Sequence, residues 1–157
     1  MRGRLVFGGG TLALVLAVGS CKDDVGLTSI PPEPEHFIAN MTGSEVETPV
    51  ATRALRQAVF TVSNGSLIYR IDLSNIDSVT LAHIHRNPAG ISGPVRVNLY
   101  VPPRTPTDLN FSGTLVEDTV PVADSILTLM RTGLAYVNVH TLSNPGGEIR
   151  GQIFRLP

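Results

Sequence analysis

Two histidines one residue apart, His83 and His85, and a third far along the chain, His140, are the side chains in this sequence best suited to chemistry. Residues two apart on a strand share a face, so the spacing predicts that the rings of His83 and His85 point the same way. Ala135, Val137 and Val139 alternate with Tyr136, Asn138 and His140, which puts the third imidazole on the polar side of its own strand. Glu148, Arg150 and Gln152 share one parity on the last strand, and the Pro145-Gly146-Gly147 turn sets that strand antiparallel to the one carrying His140. If the His83 strand lies nearby, three imidazoles and a carboxylate converge on one face.

Such a donor set suits Zn²⁺ or copper, because a sheet can hold imidazole nitrogens within about 2 Å of a common ion. The arrangement is loosely similar to the copper side of Cu,Zn superoxide dismutases, but it lacks their longer histidine series and their disulfide, which argues against redox catalysis. Two other readings stand beside the metal. In one, His83, His85 and His140 join Asn138, Glu148 and Arg150 in a hydrogen-bonded network that fixes strand register; in the other, the face contacts a different ligand. The cofactor therefore stays open, with copper and zinc as the candidates. His36 falls in a linker and is expected to be merely solvated.

Nothing else in the chain reads as catalytic. There is no Ser-His-Asp order with a nucleophile elbow, and the single cysteine has another use. Gly90 and the Gly146-Gly147 pair read as turn residues with positive φ rather than as a phosphate cradle, since no helix follows them.

That cysteine, Cys21, follows Arg2 and Arg4, the apolar run Leu12–Val18 and the small residues Gly19-Ser20. The order is that of a secretory signal peptide, and the apolar run is shorter than the roughly 20 residues a membrane span needs. Val18-Gly19-Ser20-Cys21 resembles a lipobox, so residues 1–20 are expected to be removed and Cys21 lipidated. Acyl chains contribute about 0.8 kcal/mol per buried CH₂, which makes such a tether effectively permanent. Cys21-Lys22-Asp23-Asp24 resembles a signal for surface-exposed lipoproteins of the outer membrane and reads equally as an acidic linker. Residues 21–36, with Pro31-Pro32-Glu33-Pro34-Glu35, lack apolar periodicity and read as a semi-extended spacer. The expected location is the bacterial cell envelope.

Without Arg2 and Arg4 the chain holds 10 basic and 13 acidic residues, a balance of −3 that gives no footprint for nucleic acid. Aromatics make up 5% and Trp is absent, so the core must come from Val, Ile and Leu, which favour strands.

From Phe37 to the end the pattern has period two. Ala58–Val62 and Leu67–Leu73 flank Asn64-Gly65, a strong hairpin signal. Val95, Val97, Leu99 and Val101 alternate with Arg96, Asn98 and Tyr100, and Ile149, Gly151 and Ile153 close the chain after the last turn. Only Val122–Arg131 has helical spacing, with Ile126, Leu129 and Met130 on one side and Gly133 as C-cap. The expectation is an all-β domain over residues 37–157, a Greek-key β-sandwich or barrel of about seven or eight short antiparallel strands with one short helix.

Three stretches together resemble the CHRD (chordin-type) domain. They are Met41–Val50; Ala82-His83-Ile84-His85 with Gly90-Ile91-Ser92-Gly93-Pro94-Val95; and Gly133–Thr141 with Asn144–Gly151. Two places depart from the family pattern: Arg86-Asn87-Pro88-Ala89 replaces a tighter glycine turn, and Leu55-Arg56 stands where the family often has glycine. The resemblance implies the fold more than a function. The resulting expectation is a non-enzymatic, lipid-anchored envelope module that binds a protein or polymer ligand. The alternative is a copper- or zinc-binding envelope protein using the three histidines. Ligand and oligomeric state are not legible.

Overall fold

Branched apolar residues at alternate positions make strands wherever a neighbouring strand covers them, and this chain is built so from end to end. The computed structural model describes residues 32–103 and 108–157. The expected signal segment, Cys21 and most of the spacer lie outside the described residues. The elements are β1 (Glu35–Thr42), β2 (Leu55–Ser63), β3 (Ser66–Ile76), β4 (Val79–Arg86), β5 (Val95–Tyr100), β6 (Phe111–Pro121), α1 (Asp124–Arg131), β7 (Ala135–Thr141), β8 (Ile149–Gln152) and β9 (Phe154–Arg155).

All nine strands among the described residues belong to one antiparallel sheet in the order β5-β4-β7-β8-β1-β2-β3-β6, with β9 also on β1. The sheet curls until its two end strands face each other. The Tyr69 hydroxyl of β3 donates to the Leu99 carbonyl of β5 at 2.7 Å. Val97 and Tyr100 of β5 pack on the same core as Phe111 and Leu115 of β6. The result is all-β, a nearly closed barrel rather than two stacked sheets. Among the described residues no helix is long and apolar enough to cross a membrane.

The interior takes one parity from each strand. Phe37, Ala39 and Met41 of β1 meet Ala58 and Phe60 of β2, and Leu67, Ile71 and Leu73 of β3 continue the layer. Ile84, Val137, Val139 and Ile149 complete it from β4, β7 and β8. Each of the larger side chains contributes about 1.5–3 kcal/mol by leaving water, and each alanine methyl less. The β2–β3 hairpin turns on Asn64 and Gly65, both at positive φ (49° and 74°), as a tight turn of matching twist requires.

Five details differ from the sequence expectation. Strand β1 begins at Glu35, inside the expected spacer, because the Glu35 carboxylate accepts from Arg131 and Arg155 and ties the strand to α1 and β9. His36 is exposed, yet it lies in β1, with Nδ1 3.1 Å from Thr61 Oγ1. Val95 and Val101 do not face inward: β5 is an end strand, only its Leu99 is buried, and Val101 lies beyond it. Strand β6 carries no clean alternation and pairs with β3 across register shifts, which hid it from a period-two reading. In α1, Ile126 and Met130 are buried as the helical spacing led one to expect, but the third buried residue is Leu127, and the expected Leu129 is only half-buried.

Arg56 holds a φ of 149°, a conformation that suits glycine. It belongs to the Leu55-Arg56 pair at which the resemblance leads one to expect glycine.

Candidate metal centre

Strands β4 and β7 are neighbours, with His83 opposite Asn138 and His85 opposite Tyr136. This register sets His83 diagonally beside His140 on the polar face, so the three histidines come together. One ring nitrogen from each lies within 4.8 Å of the other two, and all three residues are buried. Every residue of β7 is buried on both faces, because loops lie over the polar side.

The side chains of that polar face hold the loops by their carbonyl oxygens. Asn138 Nδ2 donates to Gly146 O, Arg150 to Pro88 O and Ile91 O, and Gln152 to Asn87 O and Gly133 O. Two histidines do the same: His85 Nδ1 donates to Gly93 O at 2.8 Å, and His140 Nδ1 donates to Pro145 O at 2.9 Å. A carbonyl oxygen can only accept, so both Nδ1 atoms carry the proton and both Nε2 atoms carry the lone pair. Orienting a ring through its far nitrogen is how protein metal sites prepare imidazole ligands.

His140 Nε2 lies 3.3 Å from His83 Nδ1. Two nitrogens bound at about 2.0–2.1 Å to a tetrahedral ion stand about 3.3 Å apart, so this pair already spans one edge of such a site. Without an ion, His83 Nδ1 serves as donor to His140 Nε2. His85 Nε2 is buried and has no hydrogen-bond partner among the described residues. A buried polar atom without a partner costs about 1–3 kcal/mol, so this nitrogen is a standing demand for a ligand.

Burial, then repulsion from His140 and His85, pushes the His83 pKa down to about 4. Burial also lowers that of His85, against the raising effect of its bond to Gly93. At neutral pH these rings are uncharged, the form that ligates metal. His85 stacks on Tyr136 with centroids 5.0 Å apart and planes 12° from parallel. The Arg150 guanidinium, from β8, lies 3.5 Å from the centroid of the same Tyr136 ring. Tyr136 Oη also accepts from the Gly93 backbone N–H at 3.0 Å, closing a loop of contacts around His85.

The other residues of the polar face stand apart from the imidazoles. Glu148 turns its carboxylate away and accepts from Thr52, Thr141 and Asn144. Arg150 and Asn138 bond to loop backbone, and neither bonds to a histidine. Thus the register-fixing network takes a different form: face side chains bind loops, and the one bond between histidines is His83 to His140.

Gly93, Pro145, Tyr136 and Gln152 were not singled out as site residues by sequence. Of these, Tyr136 was accessible through its parity with Asn138 and His140, and Gln152 through its parity with Glu148 and Arg150. Gly147 was read only as a turn residue. It has a φ of 128°, and a Cβ there would overlap the Asn138 amide, whose Cγ would be 2.8 Å away. Gly146 does not share the positive φ.

Comparison with curated proteins and with solved structures gives no match. A family model described as the CHRD domain matches residues 37–153, the span that contains all three histidines and both loops that orient them, and the chain belongs to the CHRD domain family.

Proposed function

We propose that this domain binds one transition-metal ion, Zn²⁺ or copper, through His83 Nδ1, His85 Nε2 and His140 Nε2. The observation that carries the reading is the pair of loop carbonyls, Gly93 O and Pro145 O, that leave the Nε2 lone pairs of His85 and His140 free of the loops in a cluster where one nitrogen of each histidine lies within 4.8 Å of the other two. A set of three imidazoles suits both ions, and the fourth position falls to water or a ligand. The role read from this donor set is binding of the ion, with the three histidines as the ligands. The signal-like residues 2–20 and Cys21 support presentation of the module at the cell envelope on a lipid tether.

Titration calorimetry of the metal-stripped protein tests this. One Zn²⁺ or Cu²⁺ per chain is expected, with the affinity falling at least about 100-fold for each of His83→Ala, His85→Ala and His140→Ala. His36→Ala should leave it unchanged. No heat and no thermal shift with either ion ends the proposal.

A further inference from the structure

The strained residue of the barrel points to a second site. Arg56 on β2 pairs with Met41 on one side and Leu73 on the other, and both of those side chains are buried in the core. The same register would send Arg56 inward, yet it is exposed. Its φ of 149° is a backbone conformation that side chains other than glycine rarely adopt. The side chain instead lines a groove of about 440 Å³ with Arg70, Asp72, Gln57, Ser74 and Thr114. Gly113, at φ 147°, lines it as well.

Arg70 is partly committed: its Nε donates to Asp72 at 3.0 Å, and Thr114 donates to the same carboxylate oxygen at 2.8 Å. Arg56 has no carboxylate or hydrogen-bond partner among the described residues, although Asp72 is near enough to feel its charge. The groove therefore holds two guanidiniums against one carboxylate, flanked by an amide and hydroxyls. Among the lining residues that is a balance of one positive charge, with Glu117 of β6 opposite Arg70 just outside the groove, on a chain whose formal net charge is −1. A polyanion would be repelled by the rest of the molecule, whereas a single oxyanion fits the local excess. The groove is also far larger than a bare ion, and its remaining donors and acceptors suit hydroxyls.

We propose that this groove binds a sugar-sized, hydroxyl-rich ligand through one oxyanion, a carboxylate, sulfate ester or phosphate ester, held between Arg56 and Arg70. Guanidinium donors match such groups in bidentate geometry. No aromatic residue lines the groove, so recognition rests on the charge and not on ring stacking. The site lies on β2, β3 and β6, away from the histidines on β4 and β7, and is independent of the metal reading.

The test is calorimetry of the full-length protein with galacturonate, glucose 6-sulfate and glucose 6-phosphate, and with glucose and inorganic sulfate as controls. The arms identify which oxyanion is preferred. At least one acidic sugar should bind, with glucose and bare sulfate each about tenfold weaker or more. Arg56→Gly and Arg70→Gln should each lower the affinity about tenfold or more, and Asp72→Asn, which frees Arg70, should raise it. Arg56→Gly should also raise the melting temperature, because glycine takes this φ without strain. A structural role for Arg56 would lower it. The proposal is overturned if no acidic sugar binds, if inorganic sulfate binds as tightly as the sugars, or if Arg56→Gly keeps the wild-type affinity or melts lower.

Discussion

Gly93→Ala is the sharpest probe of how the histidines are prepared. A Cβ at this position would overlap the Arg86 carbonyl oxygen and stand 2.9 Å from its carbon and 3.0 Å from Asn87 Cγ. The obstacle is backbone, so the loop itself has to move by on the order of 1 Å. Three hydrogen bonds meet at this point: His85 Nδ1 to Gly93 O, Gly93 N–H to Tyr136 Oη, and Arg86 N–H to Pro94 O at 3.1 Å. At about 0.5–1.5 kcal/mol net for each, their weakening costs roughly 2–4 kcal/mol of stability. Displacement of the Gly93 carbonyl also frees His85 to turn or to change tautomer, which should lower zinc affinity about 10–100-fold. Thermal denaturation and calorimetric zinc titration read the two effects separately. Tyr136→Phe is the milder companion, since it removes only the acceptor for Gly93 N–H and should fall between wild type and Gly93→Ala in both assays. A folded Gly93→Ala protein that binds zinc as tightly as wild type would refute the claim that this carbonyl sets the His85 ligand.

Three further outcomes are expected. The folded His83 has a pKa of about 4 against 6.5 unfolded, so between those values the unfolded chain binds the proton first; metal-free stability should fall as pH drops from about 6.5 to 4, by roughly 1–3 kcal/mol from this residue. His83→Gln should flatten that part of a melting-temperature profile, and an unchanged slope counts against the assignment. Val137 is fully buried, and Val137→Asp should abolish the β-type circular dichroism of residues 37–157, because a buried unpaired charge costs several kcal/mol against a total of about 5–15; a native spectrum would contradict the core. Cys21→Ser should prevent acyl labelling and move the protein out of the membrane fraction, and a processed mutant that stays membrane-bound removes the tether.

Parity carried the sequence reading a long way. The spacing of His83 and His85 and the alternation around Val137 were enough to give each imidazole its face. What the sequence could not show was adjacency: β4 and β7 are separated in the chain by β5, β6 and α1, and only the strand order of the sheet, in which they pair directly, makes them neighbours. The carbonyls of Gly93 and Pro145 were equally hidden, because every residue has a carbonyl and no side-chain pattern marks the one that will orient a ring. Glu148 shows the opposite failure. Its parity with Arg150 is plain in the sequence, but it precedes β8, which starts at Ile149, and its carboxylate follows nearby donors, Thr52, Thr141 and Asn144. Strand β6 was missed because an end strand with Ser112, Gly113, Glu117 and Asp118 has little apolar alternation to betray it.

The polar face of β7 and β8 also explains why the imidazoles are poised. Asn138, Arg150 and Gln152 each donate to loop carbonyls, so loops without secondary structure are fastened to the sheet by side chains. An imidazole used in the same way has one nitrogen left over, and fastening the loop fixes where that nitrogen points. For Asn138 and Gln152 the leftover atom is an amide oxygen, Oδ1 or Oε1, again buried without a partner among the described residues. For His85 and His140 it is an Nε2 lone pair, a far better ligand for zinc or copper than an amide oxygen. The same fastening therefore yields loop anchorage alone at two positions and, on the proposed reading, a metal ligand at two others. The difference lies only in which side chain stands there. His140→Asn tests this directly: the amide nitrogen it introduces can still donate to Pro145 O, so the fold should lose little stability while metal affinity collapses. A His140→Asn protein that binds zinc normally would show that the lone pair left by the loop bond is not the ligand.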